Sequence, residues 1–205
     1  MTNHESPNAD LLASLDRALA GGGRLIAGIG AHQWSTPTPC TDWNVRAVVD
    51  HLVSGNLNFA ALVRDEPRPD HGPEQLADDP VAAYRSAAAT MHAAFAEPGV
   101  LERVYQAPIG SAPGSVLAHL RITELLVHGW DLARATGQPP ELPADIAEGE
   151  LALWRAQFEG GPGAKGLPFA PARPVADEAP AIDRLAAFLG RDPRWAHGDA
   201  GALRG

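Results

Sequence analysis

One stretch, Leu117 to Thr136 (LAHLRITELLVHGWDLARAT), constrains the fold more than any other: it is apolar on nearly every side, yet it carries a glutamate, a histidine and an aspartate along one line. At about 100° per residue, a helix aligns Leu117, Leu120, Glu124, His128, Asp131 and Ala135 in one narrow stripe. Ile122, Leu125, Leu126, Val127 and Leu132 cover much of the remaining surface, which predicts a central helix packed on several sides. A carboxylate in such a place is costly unless it is paired or bound to a metal. Glu124 and His128 are one turn apart, so both reach a single ion; the same spacing also serves a buried hydrogen-bonded pair with Arg121 as counter-charge. A catalytic zinc takes three protein ligands and keeps one open position, so the metal reading needs a third ligand from elsewhere. His119 does not supply it, because it falls on the opposite side of the helix from His128.

The chain has 205 residues, enough for one well-buried domain. A net charge of -9, a pI near 5.3 and a single lysine, Lys165, argue against nucleic acid and anionic membranes as partners. No apolar run reaches the roughly 18 residues of a transmembrane span. The N-terminus, MTNHESPNAD, lacks the basic-then-apolar pattern of a signal peptide, so a cytoplasmic protein is expected. A lone cysteine, Cys40, excludes an internal disulfide and a cysteine-based zinc knuckle, leaving histidines and carboxylates to hold any metal. With 45% hydrophobic residues, the Gly- and Pro-rich links read as ordered loops.

Taken in order, the chain predicts an all-α fold. Asn8 or Ser6 caps a first helix that runs through Ala20 and on through Ile29, with a kink or break at Gly21 to Gly23. Pro37 and Pro39 force an extended connection. A second helix opens at Thr41 or Asp42 and continues to Asp65, with Val45, Val48, Val49, Leu52, Phe59 and Val63 on its apolar stripe. His51 lies about 90° from the middle of that stripe, at the edge of the buried face, where a core-edge histidine is the favoured reading and a ligand reaching toward a neighbouring helix the alternative. Residues 66–80 form a Pro-rich linker long enough to cross a bundle, and a third, alanine-rich helix stops at Pro98 and Gly99. A short extended piece at Val104 to Ala107 precedes the central helix, which begins between Ser111 and Ser115 and is closed by Gly137, Pro139 and Pro140. A fifth helix spans Leu142 to Glu159, and a short one follows from Ala181 to Gly190. No repeats or strand-alternating segments of any length are evident, and four longer helices with a crossover linker suggest a bundle.

Three blocks, TPCTDWNVRAVVDHL, TELLVHGWDLARATGQ and FAPARPVADEAPAIDRLAAFLGRDPRW, in that order, resemble the actinobacterial DinB-like metal-binding family related to mycothiol-dependent maleylpyruvate isomerase. The resemblance covers most of the chain and is loose through residues 64–110. It implies a DinB-like four-helix bundle over residues 1–160, with residues 161–205 as a C-terminal loop and short helix packed on the same domain. It also supplies the third ligand, implying a divalent ion held by His51, Glu124 and His128 with a position left for water or a thiol. Zinc leads for such a set, with nickel, iron or manganese as alternatives. The resemblance further implies a mycothiol-like cofactor whose thiol the metal activates toward a small electrophile, since a coordinated thiol loses its proton near neutral pH. Residues 160 to 205 are too few for the separate C-terminal domain expected of the isomerase.

For the cofactor or substrate carboxylate, Arg121 is the first candidate, with Arg46 and Arg134 beside it by chain proximity. Asp131 either orients His128 as an outer partner or binds Arg134. Cys40 precedes a helix N-terminus, but no histidine follows at a base-like spacing, so a small packed thiol is expected. Trp43 and Trp130 flank the ligand blocks and read as packing residues. His4, His32, His71, His92, His119 and His197 read as surface or structural, with His92 the reserve for a fourth ligand. Three functions compete: a metal- and thiol-dependent transferase or isomerase, a non-catalytic metal-binding sensor or stress-response module, and a purely structural helical protein. A symmetric homodimer is the assembly most common at this size.

Overall fold

The computed structural model describes residues 7–69, 76, 79–107, 110–158 and 169–196. Four helices form a ring of packing: α1 (Pro7–Ala27) against α4 (Gly114–Thr136), α4 against α2 (Val45–Val63), α2 against α3 (Pro80–Phe95), and α3 back against α1. Two further helices, α5 (Ala144–Gln157) and α6 (Ala181–Phe188), pack on each other and on α4. Helix α4 is therefore enclosed on several sides. Leu117, Ile122, Leu125, Leu126, Val127, Trp130, Leu132 and Ala135 have no exposed surface. Removing each large apolar side chain from water contributes about 1.5–3 kcal/mol. Among the described residues, no helix is long and apolar enough to cross a membrane.

The glycine run does not break α1, because each of its first two members makes room for a neighbour. Tyr84 of α3 donates its hydroxyl to the Leu19 carbonyl at 3.0 Å, and a β-carbon on Gly22 would lie 2.5 Å from that oxygen. Leu142, ahead of α5, packs where a side chain on Gly21 would begin. The glycines lower helix propensity but admit a buried tyrosine and a leucine that tie α1 to its neighbours.

Several boundaries differ from expectation. Asn8 lies inside α1 and donates to Glu102, so it does not cap that helix; Ser6 lies outside the described residues. Helix α2 is capped by Asn44, whose side chain accepts from the Ala47 amide at 2.9 Å, and not by Thr41 or Asp42. Asp42 instead takes a left-handed turn (φ 77°) that lets residues 36–45 fold back, with Val45 donating to the Thr36 carbonyl and Arg46 to that of Trp34. Strands β1 (Val104–Ala107) and β2 (Gly110–Pro113) form an antiparallel pair, Tyr105 opposite Ala112, so residues 110–113 are strand and α4 starts at Gly114. These short strands carry no long alternation, so the hydrophobic period gave no signal for them. The predicted crossover linker falls largely outside the described residues.

The packing around Gly22 generates a prediction. Gly22→Ala lowers stability by about 1–3 kcal/mol despite the better helix propensity, because the buried Tyr84 has to move. Gly149→Ala, at an exposed α5 position whose β-carbon meets nothing within 4 Å, raises it by about 0.5–1 kcal/mol. Urea denaturation of the two variants measures both signs.

Candidate metal centre

Helices α2 and α4 bring His51 and His128 together, with ring centroids 4.8 Å apart in an edge-on arrangement. The turned loop before α2 lays Trp43 against both, 4.7 Å from the His51 ring and 5.6 Å from that of His128. Thr38 holds this loop, its hydroxyl donating to the Trp43 carbonyl at 2.9 Å. Trp43 thus packs, as expected, but what it packs on is the pair of candidate ligands.

His51 Nε2 is buried and has no hydrogen-bond partner among the described residues. Leaving a buried polar nitrogen unpaired costs about 1–3 kcal/mol. Burial, then the neighbouring His128, pushes the His51 pKa down to about 3, with Arg121 and Arg191 acting the same way and Glu124 opposing them. His51 is therefore a neutral imidazole, the form in which histidine ligates metals.

Glu124 stands one turn before His128. Burial alone would push its carboxyl up; the Arg121 guanidinium, aided by His51 and His128, outweighs that and holds it below the usual range, hence ionised. The contact is direct, Arg121 Nη1 donating to Glu124 Oε2 at 2.7 Å. Arg121 itself is fully buried and spends its other nitrogens on α2, Nε donating to Asn56 Oδ1 at 3.0 Å and Nη2 to the Leu52 carbonyl at 2.7 Å. Gly55 makes room for it, since a β-carbon there would lie 2.5 Å from Nη1. All three guanidinium nitrogens of this cofactor candidate are therefore engaged within the protein. Arg46 is exposed, and Arg134 donates to Asp183 at 3.0 Å.

Asp131 takes the first of its two expected roles. Its Oδ2 sits 3.0 Å from His128 Nδ1, which occupies that nitrogen and fixes the ring. Its counter-charge is Arg191, not Arg134: Nε and Nη2 reach its two carboxylate oxygens at 3.2 and 2.9 Å. Burial alone would push the Asp131 carboxyl up, and Arg191 and His128 overcome this and hold it low. Sequence reasoning missed Arg191. It lies 60 positions from its partner, and the only signal was its place in the RDPRW end of the third block.

The remaining residues sort clearly. Cys40, His128 and Asp131 offer ligand atoms within 4.8 Å of one another. Against ligation there, Asp131 is committed to Arg191, and burial pushes the Cys40 thiol up to about 11. His92 lines a groove between α1 and α3 and is not brought to the centre. His119 bonds Glu150 at 2.8 Å, and Trp130 is fully buried with its indole donating to Asp183 at 2.6 Å, both structural as expected. His4, His71 and His197 lie outside the described residues.

Removing Arg191 tests the buried ion pair. Arg191→Ala strands the Asp131 carboxylate and lowers stability by about 3–5 kcal/mol in guanidinium denaturation. Arg194→Ala, at a solvent-exposed neighbour paired with Asp192, leaves the midpoint unchanged.

Comparison with known proteins identifies the family and the fold. Residues 15–133 match the profile of the mycothiol maleylpyruvate isomerase N-terminal domain. An uncharacterised protein of Mycobacterium tuberculosis, present in two strains, is 39% identical over 189 residues, spanning 90% of this chain and 100% of its own. The crystal structure of the mycothiol-dependent maleylpyruvate isomerase superposes with a TM-score of 0.66 at 16% identity, covering 95% of this chain and 94% of that one. A mutant of that enzyme with one histidine replaced by alanine gives 0.65 at 16% identity over 94% and 93%. At this identity the likeness establishes the shared DinB-like fold.

Proposed function

The chain belongs to the mycothiol maleylpyruvate isomerase N-terminal domain family, and from that premise we propose that it is a divalent-metal-binding transferase or isomerase that uses a low-molecular-weight, mycothiol-like thiol. The observation that carries this reading is the orphaned His51 Nε2, buried beside His128 and one helix away from an ionised Glu124. Two imidazoles and a carboxylate, with the fourth position left to solvent or thiol, form the donor set of a catalytic zinc site. Nickel, iron or manganese suits the same atoms. When bound, the ion lowers the pKa of a coordinated thiol and presents it as thiolate, the nucleophilic form.

The chain's own residues set up that chemistry. His51 and Glu124 come from separate helices and are held at a fixed spacing by Arg121, which bonds both α2 and Glu124. Asp131 fixes the His128 ring, and Arg191 keeps Asp131 ionised. Trp43 covers the two imidazoles and excludes water from that side. Arg121 enters this reading through Glu124; a cofactor contact at its guanidinium requires giving up one of its three internal bonds. The partners are then a small thiol and a small electrophile.

Elemental analysis of untagged protein tests the reading. The protein as purified, or reconstituted with zinc or nickel, holds about one ion per chain, and folded His51→Ala, Glu124→Ala and His128→Ala variants lose it. Asp131→Asn weakens metal affinity about 10–100-fold without removing a ligand. Negligible metal in every protein would sink the ligand assignment. Stoichiometric metal without thiol-dependent turnover would favour the non-catalytic sensor or stress-response module.

A further inference from the structure

Next to Glu124 a cavity of about 380 Å³ opens between the C-terminal half of α2 and the N-terminal half of α4, within the range of small-molecule sites. Phe59 and Leu62 form one wall and Leu117 and Leu120 the other. From Leu117 to Glu124 the cavity follows α4 for about 10 Å. Glu124 is the one proposed metal ligand that lines it. The far rim is made by the segment leaving α2, where Glu66 and Arg68 are both exposed and neither forms an ion pair among the described residues.

These features fix what the cavity suits. Its walls favour an apolar body, because between the charged ends Asn58 is the one polar side chain among the described lining residues. Among the described lining residues Arg68 is the one cation; Arg121, behind Phe59 with its guanidinium 5.9 Å from that ring, is spent on Glu124 and α2. One available cation matches one negative charge, and Glu66 on the same rim opposes a second.

We infer that this cavity receives the apolar body of a singly anionic small molecule, its anionic head at Arg68 and its other end beside Glu124. The assignment rests on the thiol-dependent reading above, in which the end beside Glu124 is the electrophile that meets the thiol. It names the electrophile's class: an elongated, largely hydrocarbon monoacid.

Calorimetric titration with octanoate and with octanol tests this without turnover. Octanoate binds the wild-type protein at one site per chain and more tightly than octanol. Arg68→Ala weakens octanoate about threefold to fivefold, the range of an exposed ion contact, and leaves octanol unchanged. Leu62→Glu and Ala107→Trp, each with wild-type circular dichroism, abolish binding of both by charging or filling the cavity; His51→Ala retains it. Absence of octanoate binding, or binding that neither wall variant alters, overturns the assignment whatever the metal content. Intact octanoate binding in a protein that holds no metal overturns the thiol-activating reading instead and upholds the ligand class of the cavity.

Discussion

A guanidinium with no exposed surface, that of Arg121, is the contact on which the centre depends. Burying such a cation is expensive unless every nitrogen is satisfied, and here Asn56, the Leu52 carbonyl and Glu124 do so together. One side chain thereby fixes the spacing of α2 and α4 and supplies the charge that keeps Glu124 ionised in a half-buried position. Gly55 is part of the same device, since a larger residue would occupy the space of the guanidinium. The residues that present donor atoms and those that hold the helices together are thus chemically continuous.

A second relay runs from the other end of α4. Arg191 compensates Asp131, and Asp131 sets the orientation of His128. Among the described residues, the buried arginines Arg121 and Arg191 each meet a carboxylate, Glu124 and Asp131 respectively. Both pairs end on a residue of the proposed donor set, Glu124 in one case and His128 in the other.

The sequence made the central helix legible because seventeen of its twenty-three residues are buried, and a stripe of that strength survives any uncertainty about its ends. The apolar stripe of α2 was equally clear, and Val45, Val48, Val49, Leu52 and Val63 are fully buried. Local chemistry was harder to read. Thr41 and Asp42 read as the candidates for the α2 cap, but Asp42 takes a left-handed turn and Asn44, an equally competent residue, caps the helix. Long-range pairings were not legible from spacing at all: nothing in residues 117–136 indicates that Arg121 bonds α2 or that Asp131 awaits Arg191. The proximity of His51 to His128 was suggested by family resemblance, since on helical geometry alone a core-edge histidine was the better reading.

The distance along the chain between Arg191 and the rest of the centre bears on when the centre is complete. His51, Glu124 and His128 all leave the ribosome before Arg191 does, and domains build from the N-terminus as synthesis proceeds. Until α6 docks and delivers that arginine, Asp131 is an uncompensated buried acid and the His128 ring lacks its fixed orientation. Docking of Arg191 therefore acts as a latch on the order of assembly: the proposed donor atoms precede it along the chain, but their final arrangement waits for it.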